Sequence, residues 1–260
     1  LAFLVGTAPT LENPEVVYGT SKAIGMGLSG FANPALALVA GALFIAAAMT
    51  LTGLDRRIAL MTLSRVGTSS RHILGGTLVV IVLLSLVVPS ATARAACVVP
   101  IMLGIITAFG IDKRSNFAAG MMIIVAQGTS IWNIGIQTAA AQNLLLVGFM
   151  DKLLGERVSW IDWLIAGAPW AVLMSFVLLF IVLKLLPPET ERIAGGKEAV
   201  ARSLAELGPM TSAQKRLLAV SIGLLLCWAT EGKLHSFDTT STTYAGLVIL
   251  ILFLLLAAFI

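Results

Sequence analysis

Long apolar runs parted by short polar breaks set the pattern of this chain. Residues 34–53, PALALVAGALFIAAAMTLTG, form the first clear run. It opens on Pro34 and closes on Gly53, residues suited to a helix's first turn and to its end. LDRRIALMTLSRVGTSSRH follows, with four arginines and one acid, and predicts an amphipathic or interfacial helix that turns at Gly67. A second apolar tract runs from about 75 to 110 and is interrupted by PSATAR at 89–94. IDKRSN at 111–116 separates it from a third tract, 117–150, which QGTSIWNIGIQ interrupts at 127–137. A strong span covers about 163–186 and stops at Pro187-Pro188. The long polar stretch is 187–216, where Thr211 is placed to cap a helix leading into a further span at about 217–230. EGKLHSFDTTST then makes a polar loop before a last apolar run that reaches Ile260. Upstream of Pro34 the Gly-rich, mildly polar stretch reads as a loop with a short interfacial helix, and residues 1–6 as the tail of an earlier span. With Leu1 at one end and an apolar run at the other, both ends read as cut from something longer.

Composition narrows the class. Of 260 residues, 58% are hydrophobic and 12% charged, about half the charged fraction of a soluble domain, and mean hydropathy is +0.98. The expected fold class is an all-α polytopic membrane protein in the lipid bilayer. A net charge of +4 follows from basic residues held in cytoplasmic loops, so no nucleic-acid partner is expected. Cys97 and Cys227 lie in separate apolar segments without metal or redox spacing and read as small packing residues.

Charge then sets orientation. Loops 54–72 and 111–116 carry Arg56, Arg57, Arg65, Arg71, Lys113 and Arg114, and 187–216 carries Arg192, Lys197, Arg202, Lys215 and Arg216. All three are expected to be cytoplasmic. A single crossing by 75–110 would put its flanking loops on opposite sides. Two crossings would need legs of roughly 75–88 and 95–110 to span alone, and both fall short of ~20 residues. A re-entrant hairpin that turns at PSATAR satisfies both charge and length.

The two breaks hold the candidate chemistry. A hairpin tip in a membrane must have its backbone met by protein or water. Ser90 and Thr92 offer hydroxyls as caps, ion ligands or donors, beside a helix N-terminus starting around Thr92–Ala95 that favours an anion. Arg94 either attracts a substrate carboxylate or pairs with backbone carbonyls near the tip. In the second break Gly128 and Gly135 permit unwinding, while Thr129, Ser130, Asn133 and Gln137 supply neutral oxygens and amides. Helices broken at mid-membrane build transporter sites from carbonyls and helix N-termini. A small anionic substrate and a possible sodium ion near Ser90, Thr92, Gly128 and Asn133 are expected, with no other cofactor.

Other residues have plainer roles. Asp55 beside Arg56 and Arg57 predicts a solvated salt bridge, and His72 and His235 read as loop residues. Trp132 is expected to pack against the hairpin, and Trp160, Trp163 and Trp170 to sit in an interfacial aromatic belt. No HExxH, GxxxxGK[ST] or GxSxG occurs, and the apolar core holds no His or acid to activate Ser90, so no enzyme is expected. A non-transporting scaffold would not need paired breaks, and a channel-like pore would not show counterflow.

PSATARAACVVPI resembles the inward hairpin tip of the divalent anion:sodium symporter family, whose motif is Ser-Asn-Thr, in the branch written PSNTAR. GFANPALALVAGALFIAAAMTLTGLDRRIAL, SWIDWLIAGAPWAVL and LGPMTSAQKRLL resemble other stretches of that family in order, so the likeness covers nearly the whole chain. The resemblance implies an inverted-repeat, elevator-type secondary transporter of di- or tricarboxylates, or sulfate, working as a homodimer by sodium symport or exchange. A related exporter of another anion is the neighbouring alternative. By the same resemblance, residues 1–186 are the first repeat, with its span at 34–53, hairpin at 75–110, broken helix at 115–150 and span at 163–186. Residues 187–216 are a cytoplasmic linker and 217–260 the start of a second repeat whose remainder is a partner in the same protein. The implied location is a bacterial inner membrane. Ser90 and Thr92 match two of the three motif positions, and Asn143 falls near the family's Pro-Pro-Asn position. Two positions depart from it: Ala91 stands where the family has Asn, and AAAQN at 139–143 replaces GTPPN.

Overall fold

The structure, a computed structural model, describes residues 19, 21–22, 24–25, 34–67, 69–88, 90–190 and 196–230. Of the interfacial helix expected before Pro34, the described residues 21–22 and 24–25 are helical; the tail of an earlier span at 1–6, the loop holding His235 and the last apolar run lie outside the described residues. Helix α1 (Pro34–Thr52) meets α2 (Leu54–Ser64) at Gly53, whose φ of 65° is the left-handed conformation that glycine adopts without strain. Then come α3 (Ser70–Val87), α4 (Ala91–Ala108), α5 (Asn116–Gly135), a 3-10 turn (Gln137–Ala139) and α6 (Ala141–Phe149). After them follow a π turn (Met150–Leu154), α7 (Trp160–Leu185), α8 (Gly196–Glu206) and α9 (Ser212–Ala229). Among the described residues there is no strand.

Among the described residues, three helices are long and apolar enough to cross a membrane: α3 with 18 residues, α5 with 20 and α7 with 26. Half or more of the apolar window of α3 and α5 is buried inside the protein, against 22% for α7. Helix α5 is therefore central, packed against α7, α3 and α4, while α7 turns Leu173, Phe176 and Phe180 outward. The core is built where these helices meet, from Leu74, Ile81 and Leu84 of α3, Met102 and Ile106 of α4, and Met121 and Ile124 of α5.

Helices α3 and α4 fold back on each other. Thr77 and Met102, at similar distances along the chain from the connection at 88–90, come together with Oγ1 and Sδ 3.5 Å apart. Each helix has 18 residues, longer than the legs expected from the sequence. Helix α3 reaches back to polar Ser70, and α4 starts directly after its N-cap Ser90. At a rise of ~1.5 Å per residue each leg is about 27 Å long, so shortness of the legs does not carry the hairpin expectation.

The expected unwinding at Gly128 is corrected. Helix α5 runs unbroken through it to Gly135, and the interruption lies at 136–140. Gly128 instead lets two helices approach, since a Cβ there would stand 3.0 Å from Leu78 Cδ1 and 3.1 Å from Ile81 Cδ1 of α3.

The predicted Asp55 salt bridge is also corrected. Arg57 turns away from Asp55 and donates to Gln214 Oε1 at 2.9 Å and to the Leu207 carbonyl at 3.0 Å. Gln214 returns a hydrogen bond to the Thr52 carbonyl at 2.8 Å, closing the end of the polar linker onto the α1–α2 junction. Thr211 caps α9 as expected, with Gln214 completing a reciprocal capping box. Asp55 is buried, accepts the Arg56 backbone N–H at 2.7 Å and faces the Cys97 thiol. Burial pushes its carboxyl above the usual range, against the lowering effect of those hydrogen bonds. A raised folded-state value means the protein prefers the protonated acid. Ionisation thus removes stability as pH climbs from the ordinary aspartate value through the raised one. Asp55→Asn, which keeps the acceptor and removes the charge, is expected to raise the unfolding temperature in detergent at alkaline pH. The gain should shrink on acidification. A gain independent of pH would count against burial as the cause.

Candidate functional site

The interruption after α5 sets the site. Residues 136–140 leave helical geometry, yet Ile136, Gln137, Thr138, Ala139 and Ala140 are all buried. In an apolar setting such a backbone survives only if protein groups meet its polar atoms, and here they do. Asn143, at the start of α6, donates from Nδ2 to the carbonyls of Asn133 at 2.5 Å and Ile136 at 3.1 Å. Trp163 Nε1 donates to the Ile134 carbonyl at 2.8 Å, and Trp160 Nε1 to Thr138 Oγ1 at 3.1 Å. Gln137 Nε2 donates to the Val158 carbonyl at 3.3 Å. Two of the tryptophans assigned to an interfacial belt are thus anchors of the break. Trp160 is buried and Trp163 half-buried, whereas Trp170 is exposed. Trp132 donates its indole N–H to Ser175 of α7 at 3.1 Å.

Arg94 joins this break to the hairpin tip. It lies in the first turn of α4, is 1% exposed, and donates from Nη1 to the carbonyls of Val88 at 2.7 Å and Ala139 at 3.1 Å. Its Nη2 donates to Asn133 Oδ1. A cation at a helix N-terminus sits at the positive end of that helix's dipole. Arg94 is compensated instead by the Val88 carbonyl before α4, the Ala139 carbonyl in the break after α5 and the Asn133 side chain of α5. Of the two roles open to Arg94 from the sequence, the described residues supply the carbonyl partners.

The other expected site residues divide into those at this junction and those outside it. Ser90 is half-buried and caps α4, its Oγ accepting the Ala93 N–H at 3.3 Å. Ala91 follows, half-buried, and Thr92 is exposed. Thr129 lies one helical turn before Asn133 on the same face of α5, buried. Its Oγ1, like Arg94 Nε and Gln137 Oε1, has no hydrogen-bond partner among the described residues. Ser130 is exposed and bonds back to the Ala126 carbonyl at 3.1 Å. Gly128 packs against α3 as described. The junction therefore gathers Ser90, Arg94, Asn133, Gln137 and Asn143, with Thr129 one turn away along α5, and leaves Ser130 and Gly128 aside.

The sequence did not mark the carbonyls of Val88 and Ala139, nor Trp160 and Trp163, as parts of this junction. One signal was present: an arginine in the first turn of an apolar helix opposes the dipole and so requires oxygen partners from another segment. Which carbonyls supply them is written in no side chain. Among the described residues no cluster of His, Cys, Asp or Glu could hold a metal ion.

The family described as the sodium:sulfate symporter transmembrane region matches residues 2–257. A membrane protein of Cupriavidus necator is 71% identical over 252 residues, covering 97% of this chain and 49% of that protein. The inner membrane protein YbhI of Escherichia coli K12 is 30% identical over 217 residues, covering 82% of this chain and 45% of YbhI. The L-tartrate/succinate antiporter of Escherichia coli K12 is 27% identical over 244 residues, covering 90% of this chain and 48% of the antiporter. The chain spans about half the length of these relatives.

Proposed function

The chain belongs to the sodium:sulfate symporter family, and we propose that the protein it forms is a secondary active transporter of small di- or tricarboxylates or similar divalent anions. It is an integral membrane protein, and the likeness to YbhI favours the bacterial inner membrane. The likeness to a tartrate/succinate antiporter favours dicarboxylates and exchange.

One observation carries the reading: the hairpin tip and the break after α5 meet at a single buried junction. There the first turn of α4, capped by Ser90, holds Arg94, whose Nε has no partner among the described residues, and Thr129 Oγ1 of α5 and Gln137 Oε1 of the break are likewise buried without one. Unmet buried polar groups are rare and call for a reason. A helix N-terminus with an arginine in its first turn is a place that favours an anion. In this proposal the α3–α4 hairpin re-enters from the cytoplasmic side and carries half of the site. Residues 1–186 form the first repeat, 187–216 the cytoplasmic linker and 217–260 the start of the second. The remainder of the second repeat supplies the other half-site. Hairpin and broken helix move together against α1 as an elevator, within a homodimer.

The test is flux in proteoliposomes holding the full-length protein, with labelled succinate, tartrate, citrate and sulfate. Saturable uptake and counterflow of at least one anion are expected. Ser90→Ala is expected to weaken apparent affinity about tenfold, the equivalent of one lost hydrogen bond to a charged group. Saturable flux of none of these anions, or flux indifferent to both Ser90→Ala and Thr92→Val, would overturn the site.

A further inference from the structure

Membership of a sodium symporter family raises the question of where a coupling cation would sit in this half-site. The residues expected to surround it, Ser90, Thr92, Gly128 and Asn133, do not make a cage. Thr92 is exposed, and Gly128 is locked inside α5 against Leu78 and Ile81. Ser90 Oγ already accepts the Ala93 N–H. Three oxygens from separate segments do converge: the carbonyl of Val88 at the tip, the carbonyl of Ala139 in the break, and Asn133 Oδ1. Carbonyls of unwound backbone with a side-chain oxygen are the kind of set that coordinates sodium in broken-helix transporters. Here all three point at one guanidinium.

We propose that Arg94 is the resident cation of this half-site, taking the tip and break oxygens that a coupling sodium would need, so that the hairpin docks on the broken helix without sodium. The proposal rests on the transport reading above and names its coupling. A second cation among the same oxygens would face a positive charge it cannot displace, because Arg94 is part of α4 and keeps its proton at any working pH. Ala91 agrees with this: the amide that the resembling family places beside the tip is missing from a chain whose tip oxygens are already occupied. A tethered cation also cannot travel down a gradient, so this half-site contributes no sodium-driven step and suits exchange of one anion for another.

Two measurements on the full-length protein test it. The first is exchange of labelled succinate with sodium chloride replaced by choline chloride on both sides of the proteoliposome. Wild type is expected to exchange at the same rate in either salt. Arg94→Gln is expected to lose exchange by tenfold or more, and Arg94→Lys to recover part of it, again regardless of sodium. Activation of wild type by sodium with a half-maximal concentration that moves in Asn133→Ala would overturn the proposal, because the ion would then be using these oxygens. The second needs no flux and so separates this proposal from the transport reading. In a background with Cys97, Cys227 and every cysteine of the rest of the full-length protein replaced by Ala, Thr92→Cys at the tip is labelled with a maleimide. Equal labelling rates in sodium and choline are expected, and several-fold protection by sodium would overturn the proposal even if no anion moves.

Discussion

Arg94→Ala is expected to lower the stability of the protein by about 3 kcal/mol and to abolish anion flux. The figure follows from what the guanidinium leaves behind. The carbonyls of Val88 and Ala139 and the Asn133 side chain lose their donor together. A buried acceptor left without a partner costs on the order of 1 kcal/mol, and hydrogen bonds between membrane helices are worth ~0.6–2 kcal/mol each. The loss is not spread evenly over the fold. It falls at the one place where the tip of the α3–α4 hairpin is tied to the break after α5. The hairpin should part from α5 there while the rest of α5 keeps its packing on α3. Thermal unfolding in detergent measures the first effect and proteoliposome flux the second. Arg94→Lys should lie between, because an ammonium is a point charge and cannot span three acceptors from two directions as a planar fork does. Wild-type unfolding in Arg94→Ala would show that the guanidinium does not hold the junction.

Gly167→Ala is expected to be nearly as damaging, although it adds a single methyl group. A Cβ at Gly167 would stand 2.9 Å from the Ile134 carbonyl oxygen and 3.4 Å from Gly135 Cα. Both contacts are backbone, so no side chain can swing aside. On the facing helix, a Cβ at Gly135 would lie 2.7 Å from the Cβ of Ala171. The crossing of α5 and α7 therefore leaves no room for an added methyl group, and it occurs at the last turn of α5, directly before the break. Pushing α7 outward would also stretch the hydrogen bonds from Trp163 to Ile134 and from Trp160 to Thr138. Overpacking of this kind costs about 1–3 kcal/mol, and the displaced tryptophans place the present case toward the upper end. Gly223→Ala is the matched comparison, since a Cβ there meets nothing within 4 Å. It should leave stability unchanged or raise it by up to ~1 kcal/mol through helix propensity. Equal unfolding temperatures for the two variants would exclude close approach as the role of Gly167.

Both predictions act on one structure, the buried junction, on whose integrity the proposed transport depends. The clamp of Arg57 and Gln214 sits apart from it, at the α1–α2 junction, and ties the start of α9 to the element against which the hairpin is proposed to move. Asp55, two residues from Arg57, faces the Cys97 thiol of α4, so its pH-dependent cost reports on the contact between α2 and α4.

Much of the architecture was legible from local pattern. Apolar runs long enough to span appear as α3, α5 and α7, because a helix in lipid satisfies its own backbone and so is written in continuous hydrophobicity. Pro34, Gly53, Ser90 and Thr211 mark helix ends, because caps act within four residues of themselves. The two polar breaks were visible for the same reason, as interruptions in those runs. What stayed hidden was every statement about partners. Gly128 reads equally well as a point of unwinding or of close packing, and only the presence of Leu78 and Ile81 beside it decides for packing. Asp55 and Arg57 are neighbours in sequence, yet on a helix residues two apart do not face each other. Tertiary contact sends Arg57 to α9 and leaves Asp55 buried without an ion-pair partner among the described residues, facing the Cys97 thiol. Arg94 had two open roles because two of its three acceptors are main-chain carbonyls, which every residue carries and no letter of the sequence distinguishes. The sequence by itself determined where the chain is helical and where it must break. Only the tertiary structure decided that the two breaks meet, with Arg94 between them, because two of the three oxygens that hold it come from residues 39 and 45 positions away along the chain.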